Sequence, residues 1–265
     1  MDQLLNNNNA EPLVPCIIRA AISVLKHRKA ESIPDIYQKE GNRIKVLSLK
    51  ETLRDVFSKK TKFPKILFFY QNISLVSNDI SYQKARRAIL KQRDVTTITS
   101  FIKSFFTDYL IEPILTFEGL AVMCKLVMDE PANSYRTNTK LINNIKEFIS
   151  ELQSSNISTL SMVILHCKSI LEDPSHRRAN SLDGLCNALA PSIIGTKTSK
   201  PTPKELKNAI RYQSKVFKAL VSVENEFWEK YYSDELFGDC LTEEKSYSGS
   251  SVLEKARQAV KAKKY

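Results

Sequence analysis

Glycine is scarce in this chain, six residues in 265, and histidine scarcer still, with three. So few glycines leave little material for the tight turns of a sandwich or barrel. Ten prolines set against plentiful leucine, isoleucine, lysine and glutamate point instead to helices. No apolar run approaches ~20 residues, so no segment reads as membrane-spanning. The opening MDQLLNNNNAEP lacks the basic start and apolar centre of a secretory signal, and residues 1–12 read as a disordered polar tail. Neither Cys-x-x-Cys nor a mixed His/Cys ligand spacing occurs, which argues against a zinc site. The five cysteines, Cys16, Cys124, Cys167, Cys186 and Cys240, are odd in number, widely spaced and mostly set among apolar residues. They read as buried thiols of a reducing compartment, cytosolic or nuclear, with the cytoplasm as the expected location. No metal or cofactor is implied.

What is present in excess is positive charge. Forty Lys and Arg stand against 29 Asp and Glu, a net charge of +11. Such an imbalance draws acidic surfaces: nucleic acid, anionic lipid or a negatively charged protein. The chain has no zinc finger, RNA-recognition signature or Gly-rich phosphate loop, so nucleic acid is not an expected partner. A hydrophobic fraction of 42% is that of a folded globular protein.

The hydrophobic spacing predicts helices throughout and no strand of useful length. Residues 15–29 open with Pro15 and repeat apolar side chains at helical intervals. A turn-rich stretch, SIPDIYQKEGNR (32–43), leads into a second helix over 43–60. Residues 61–93 read as an irregular insertion ending in a short helix near 81–91. This segment carries the cations Lys84, Arg86, Arg87, Lys91 and Arg93, either a solvated face or a contact for phosphate or lipid. Asp94 is a good cap for a strongly apolar helix over 95–110. Further helices are expected over 112–130, from Pro113, over 138–156 and over 157–174, the last apolar nearly all round and therefore central. Another spans 180–195, stopped by Pro191 and Gly195, and a last long one covers 201–232. His166 reads as a hydrogen-bonded core residue, and Trp228 with Phe227, Tyr231 and Tyr232 as packing. Residues 236–265 change character, a YSGSS linker followed by a basic amphipathic helix suited to an anionic membrane or a partner.

Four blocks, in order, resemble the Rho GTPase-activating (RhoGAP) domain family, most in the manner of the centralspindlin-type Rac/Rho activators and the chimaerins. IYQKEG (36–41) is similar to the arginine-finger loop. DVTTITSFIKSFFTDYLIEPILT (94–116) is similar to the helix that carries the family's lysine and arginine. SNISTLSMVILH (155–166) resembles the core helix, and LDGLCNALAPSII (182–194) the Asn-Leu-Ala block. The likeness covers roughly residues 13–232, and the domain is expected over 13–235. It implies an all-α, RhoGAP-like bundle of about eight to nine helices that engages a Rho-family small GTPase.

In this family an arginine at the loop tip delivers charge to the transferring phosphoryl group, worth ~10³–10⁵-fold in rate. Gln38 stands there in this chain. Its amide donates hydrogen bonds but carries no charge. By the same resemblance Lys103 keeps the lysine that contacts the GTPase and steadies the loop. Thr107 replaces the arginine one helical turn later, Gly184 the asparagine of the last block, and Asp35 the glycine that opens the loop. Lys39 and Pro191 complete the expected GTPase-binding set of Gln38, Lys39, Lys103, Thr107, Gly184 and Pro191. With these four specialised positions changed, the expectation is a pseudo-GAP that binds its GTPase without activating hydrolysis, hence no enzyme and no catalytic residue. One alternative is an active GTPase activator whose cation comes from Lys39, Arg43 or the GTPase itself. Another is a lipid- or protein-binding adaptor using the 84–93 segment and the 252–264 tail.

Overall fold

The computed structural model of the chain describes residues 14–58, 79–110, 112–131, 135, 137–172, 181–195 and 202–232. The tail expected over 1–12, the first part of the 61–93 insertion, and the linker and basic helix of 236–265 lie outside the described residues. Those that are described contain ten α-helices, one 3-10 turn and no strand.

Helix α1 (Cys16–His27) starts at Pro15, whose carbonyl accepts from the amides of Ile18 and Arg19. Proline suits this place, because its missing N–H is not needed at a helix start. A 3-10 turn (Ala30–Ser32) and a loop lead to α2 (Arg43–Ser58), where Asn42 Oδ1 accepts from the amides of Ile44 and Lys45 at 3.0 and 3.2 Å. Helix α3 (Asp79–Leu90) contains the short helix expected near 81–91, and its Tyr82, Ala85 and Ile89 are buried. Asp94 caps α4 (Val95–Asp108), its Oδ1 accepting from the Thr96 amide at 3.0 Å. The chain continues through α5 (Phe117–Val127), α6 (Thr139–Ser150), α7 (Ser154–Glu172), α8 (Leu182–Ile194), α9 (Pro203–Ser222) and α10 (Asn225–Glu229).

Four boundaries depart from the sequence reading, the break between α6 and α7 falling at 151–153 rather than after 156. Pro113 does not begin α5. Ile114 and Leu115 are buried in a turn, and the helix starts after Thr116, whose hydroxyl accepts from the Gly119 amide at 3.1 Å. Pro191 does not stop α8 but lies inside it; the helix runs to Ile194 and ends at Gly195, with φ of 70°. The final helix is two, α9 and α10, because Glu224 takes an extended conformation between them, with ψ of 157°.

Burial follows the apolar stripes. Helix α1 packs on α3, α2 on α3 and α4, α4 on α8, and α8 on α9. Helix α7 is buried over Ile157–Ile164 and again at His166, Cys167 and Ile170, as a central helix should be. Trp228 is wholly buried and Phe227 meets it edge to face, so this aromatic cluster is packing. Burial pushes the thiols of Cys16 and Cys186 up to about 11 and about 12, so they sit protonated in the core. No described helix is long and apolar enough to cross a membrane.

Candidate functional site

The 33–42 loop is held from beneath at nearly every residue. Ile36 and Tyr37 point inward, each 1% exposed. The Tyr37 hydroxyl lies 2.9 Å from Nε2 of His166 on α7, with the two rings edge-on at 5.9 Å. Burial pushes the Tyr37 phenol well above its ordinary value, so it stays a neutral hydrogen-bonding group. The Ile36 carbonyl accepts from Thr99 Oγ1 at 3.2 Å, and Gly41 N–H donates to Ser100 Oγ at 2.8 Å. Both partners sit on α4.

Glycine at 41 is a matter of space. A Cβ there would come within 2.5 Å of the Thr96 carbonyl oxygen and 2.7 Å of Thr97 Cα. The loop thus lies directly on the backbone of the first turn of α4, where no side chain fits.

Lys103, one turn beyond Thr99, ties the loop down from above. Its ammonium donates to the Tyr37 carbonyl at 3.2 Å and pairs with Glu40 Oε1 at 2.6 Å. The lysine side chain is 13% exposed and the Glu40 side chain 77%, so the pair stands at the rim rather than in the core. Its Coulombic gain is modest, and its value lies in fixing loop geometry.

Only Gln38 and Lys39 remain presented at the tip, both exposed. Their amides donate to the Asp35 carbonyl at 2.9 and 3.1 Å, closing a turn that Asp35 permits by adopting φ of 55°. The Gln38 side chain is not extended. Its Nε2 donates to Asp35 Oδ1 at 2.7 Å, and the amide lies against Gly184, where a Cβ would collide with it. Gly184 is in the first turn of α8, held by Ser181 Oγ, which accepts from its amide at 2.9 Å. The neighbouring Asp183 is ion-paired with Lys218 of α9.

Of the six residues expected to form the binding set, four converge. Gln38, Lys39, Lys103 and Gly184 share the loop and the two helices beside it. Thr107 lies one turn beyond Lys103, exposed, with its hydroxyl turned to the carbonyls of Lys103 and Ser104 and to Asp108. Pro191 is seven residues along α8 from Gly184, about 10 Å at 1.5 Å per residue, and half-buried. Sequence reasoning missed Thr99, Ser100 and Glu40. The available signal was spacing: Thr99 and Lys103 are four apart on one face of α4, with Ser100 beside them.

Residues 15–198 match the family model described as the RhoGAP domain. Rac GTPase-activating protein 1 of Mus musculus is 23% identical over 224 residues, covering 84% of this chain; the chain spans only 30% of that relative's length. A crystal structure of human Rho GTPase activating protein 15 superposes with a TM-score of 0.55 at 16% identity, over 83% of this chain and 85% of the other. At that identity the likeness is one of fold.

The family match corrects one expectation. Gln38 at the loop tip pointed to a domain that is not an activator, yet the family and the matched proteins are GTPase-activating. The inference failed because loss of charge at Gln38 and Thr107 removes particular electrostatic contributions, whereas the braced loop, with Lys103 on the Tyr37 carbonyl and Gly41 on the backbone of α4, is still built. Nothing among the described residues marks the domain as catalytically dead.

Proposed function

The chain belongs to the RhoGAP domain family, and from that premise we propose that it binds a Rho-family GTPase through the 35–41 loop and the adjoining faces of α4 and α8, and speeds its hydrolysis of GTP. The observation that carries this reading is the Lys103 brace. One ammonium from α4 holds both the Tyr37 carbonyl and Glu40, so the tip is fixed before any partner arrives. Preorganisation of this kind lowers the ordering cost of binding and presents the tip in one geometry.

Chemically, the tip carries the neutral amide of Gln38, one N–H of which is already given to Asp35 Oδ1, and the ammonium of Lys39. An amide can hold an attacking water or a loop of the GTPase, but it cannot supply the charge of a guanidinium. Acceleration is therefore expected below the ~10³–10⁵-fold of an arginine finger, with the ordering of the GTPase's own catalytic groups as the main contribution. The net charge of +11 favours encounter with an acidic partner surface.

Single-turnover hydrolysis by purified Rho, Rac and Cdc42-type GTPases, with saturating chain, tests the proposal. A rise above ~10-fold with at least one of them is expected, well within the range of known activators. Lys103→Met should reduce that rise while leaving the helical content unchanged. No acceleration of any of the three would overturn the activity, and no complex with any of them would overturn the partner.

A further inference from the structure

Helix α3 carries a cationic face that the site described above does not use. Lys84 and Arg87 lie one turn apart on one face of α3, and Lys91 follows directly after its last residue, Leu90. All three are exposed, as is Arg93 just past the end of the helix. Tyr82, Ala85 and Ile89 are buried. Arg86, part of the same run in the sequence, is only 3% exposed and does not belong to the face.

Among the described residues, these four outward cations have no ion-pair or hydrogen-bond partner. Lysines elsewhere in the molecule do: Lys50 with Asp108, Lys103 with Glu40, Lys146 with Glu224 and Lys218 with Asp183. No such pair with a described residue engages Lys84, Arg87, Lys91 or Arg93. The end of α3 is fixed to the body by Arg28 of the α1 terminus, which donates to the Leu90 carbonyl at 2.7 Å.

We propose that the outer face of α3, Lys84, Arg87 and Lys91 with Arg93, docks the domain on an anionic lipid bilayer. The face is an exposed helix surface along which the cations are spread rather than gathered, so it matches a smeared surface potential and not a single phosphate. Nucleic acid is disfavoured because none of the exposed large hydrophobic residues described is aromatic, leaving no platform for base stacking. Each Lys or Arg at an anionic surface adds roughly fivefold to partition, so four give a several-hundred-fold preference over a neutral surface. Because α3 leads within four residues into α4, which braces the loop, a bilayer held by α3 would set the orientation of the 35–41 loop.

Co-sedimentation of the full chain with phosphatidylcholine vesicles, with and without phosphatidylserine, tests this without any GTPase, so its outcome is independent of the proposed activity. The chain should sediment only with the phosphatidylserine vesicles and detach as salt rises. The triple variant Lys84→Glu, Arg87→Glu, Lys91→Glu should lose at least ~100-fold in partition, whereas Lys84→Arg, Arg87→Lys, Lys91→Arg should bind like the parent. Circular dichroism of both variants checks that the helices persist. Unchanged vesicle binding by the charge-reversed variant overturns the proposal. So does unchanged vesicle binding accompanied by lost stimulation of a soluble GTPase, a result that would assign the face to a protein partner instead.

Discussion

The Gln38 amide rests on Gly184, and the fit is mutual. Any side chain at 184 would occupy the space of the glutamine's Nε2, and the glutamine, folded back onto Asp35 Oδ1, needs that space. Family resemblance makes 35, 38 and 184 three separate departures, a glycine, an arginine and an asparagine replaced. The geometry makes them one coupled change, in which a longer side chain at 184 and this placement of Gln38 exclude each other.

Gly184→Ala tests that coupling. The group displaced is the far end of a flexible side chain, so the fold should tolerate the methyl. Alanine also favours helix over glycine by up to ~1 kcal/mol, so Tm should hold or rise. Gln38 must leave its seat, and stimulation of the partner GTPase should change by ~3–10-fold, as expected when a group near the reaction is moved. An unaltered rate together with an unaltered Tm would separate the seat from function.

Gln38→Arg adds charge at the tip. A guanidinium is too long for the Gly184 seat and should project from the loop instead. Hydrolysis in single turnover should rise at least ~10-fold over the parent chain, short of or equal to a full arginine finger. A rate equal to the parent's would mean that the tip does not approach the nucleotide.

Gly41→Ala should be far more damaging than its size suggests. The new methyl meets main chain, the Thr96 carbonyl and Thr97 Cα, neither of which can rotate away. Overpacking of this kind costs about 1–3 kcal/mol. It also lifts the loop off Ser100 Oγ, so GTPase stimulation should fall with stability, and chemical denaturation beside the rate assay checks both. Full stability in the variant would show that the loop does not lie on α4.

Asp94 makes the start of α4 sensitive to acid. Burial would raise its carboxyl, but hydrogen bonds from Thr96 and Thr97, with Lys45 nearby, outweigh this and hold it below its ordinary value of 3.8. A carboxyl lowered on folding adds stability above its unfolded value, and that stability is lost as pH falls through the folded one. Asp94→Asn keeps a capping oxygen but does not titrate, so stability should depend less steeply on pH below about 4. Asp94→Ala removes the cap and should cost ~0.5–2 kcal/mol at neutral pH. Equal acid slopes for Asp94→Asn and the parent would refute this account.

Helix existence and the core were legible because local spacing and burial share a period. Ile98, Phe101, Ile102 and Phe105 on α4 repeat at helical intervals and are all buried. Asp94 and Asn138, read or readable as caps, accept from amides two and three residues on. Boundaries fared less well where a distant group decides them. Gly195, which ends α8, lies so close to Pro113 that a Cβ would strike the proline ring, and no local pattern foretells that approach.

Alone, the sequence determined an all-helical chain, a positive surface, a family likeness and the absence of arginine at the loop tip, because these are properties of residues or of their spacing. Tertiary structure decided what the tip residues touch: Lys103 on the Tyr37 carbonyl, Gly41 on the backbone of α4, Gln38 on Gly184 across nearly 150 residues of chain. It also separated Arg86, buried, from Lys84, Arg87 and Lys91, exposed. Contacts between segments remote in sequence depend on how helices dock, and docking is set by the whole packed core rather than by any one stretch.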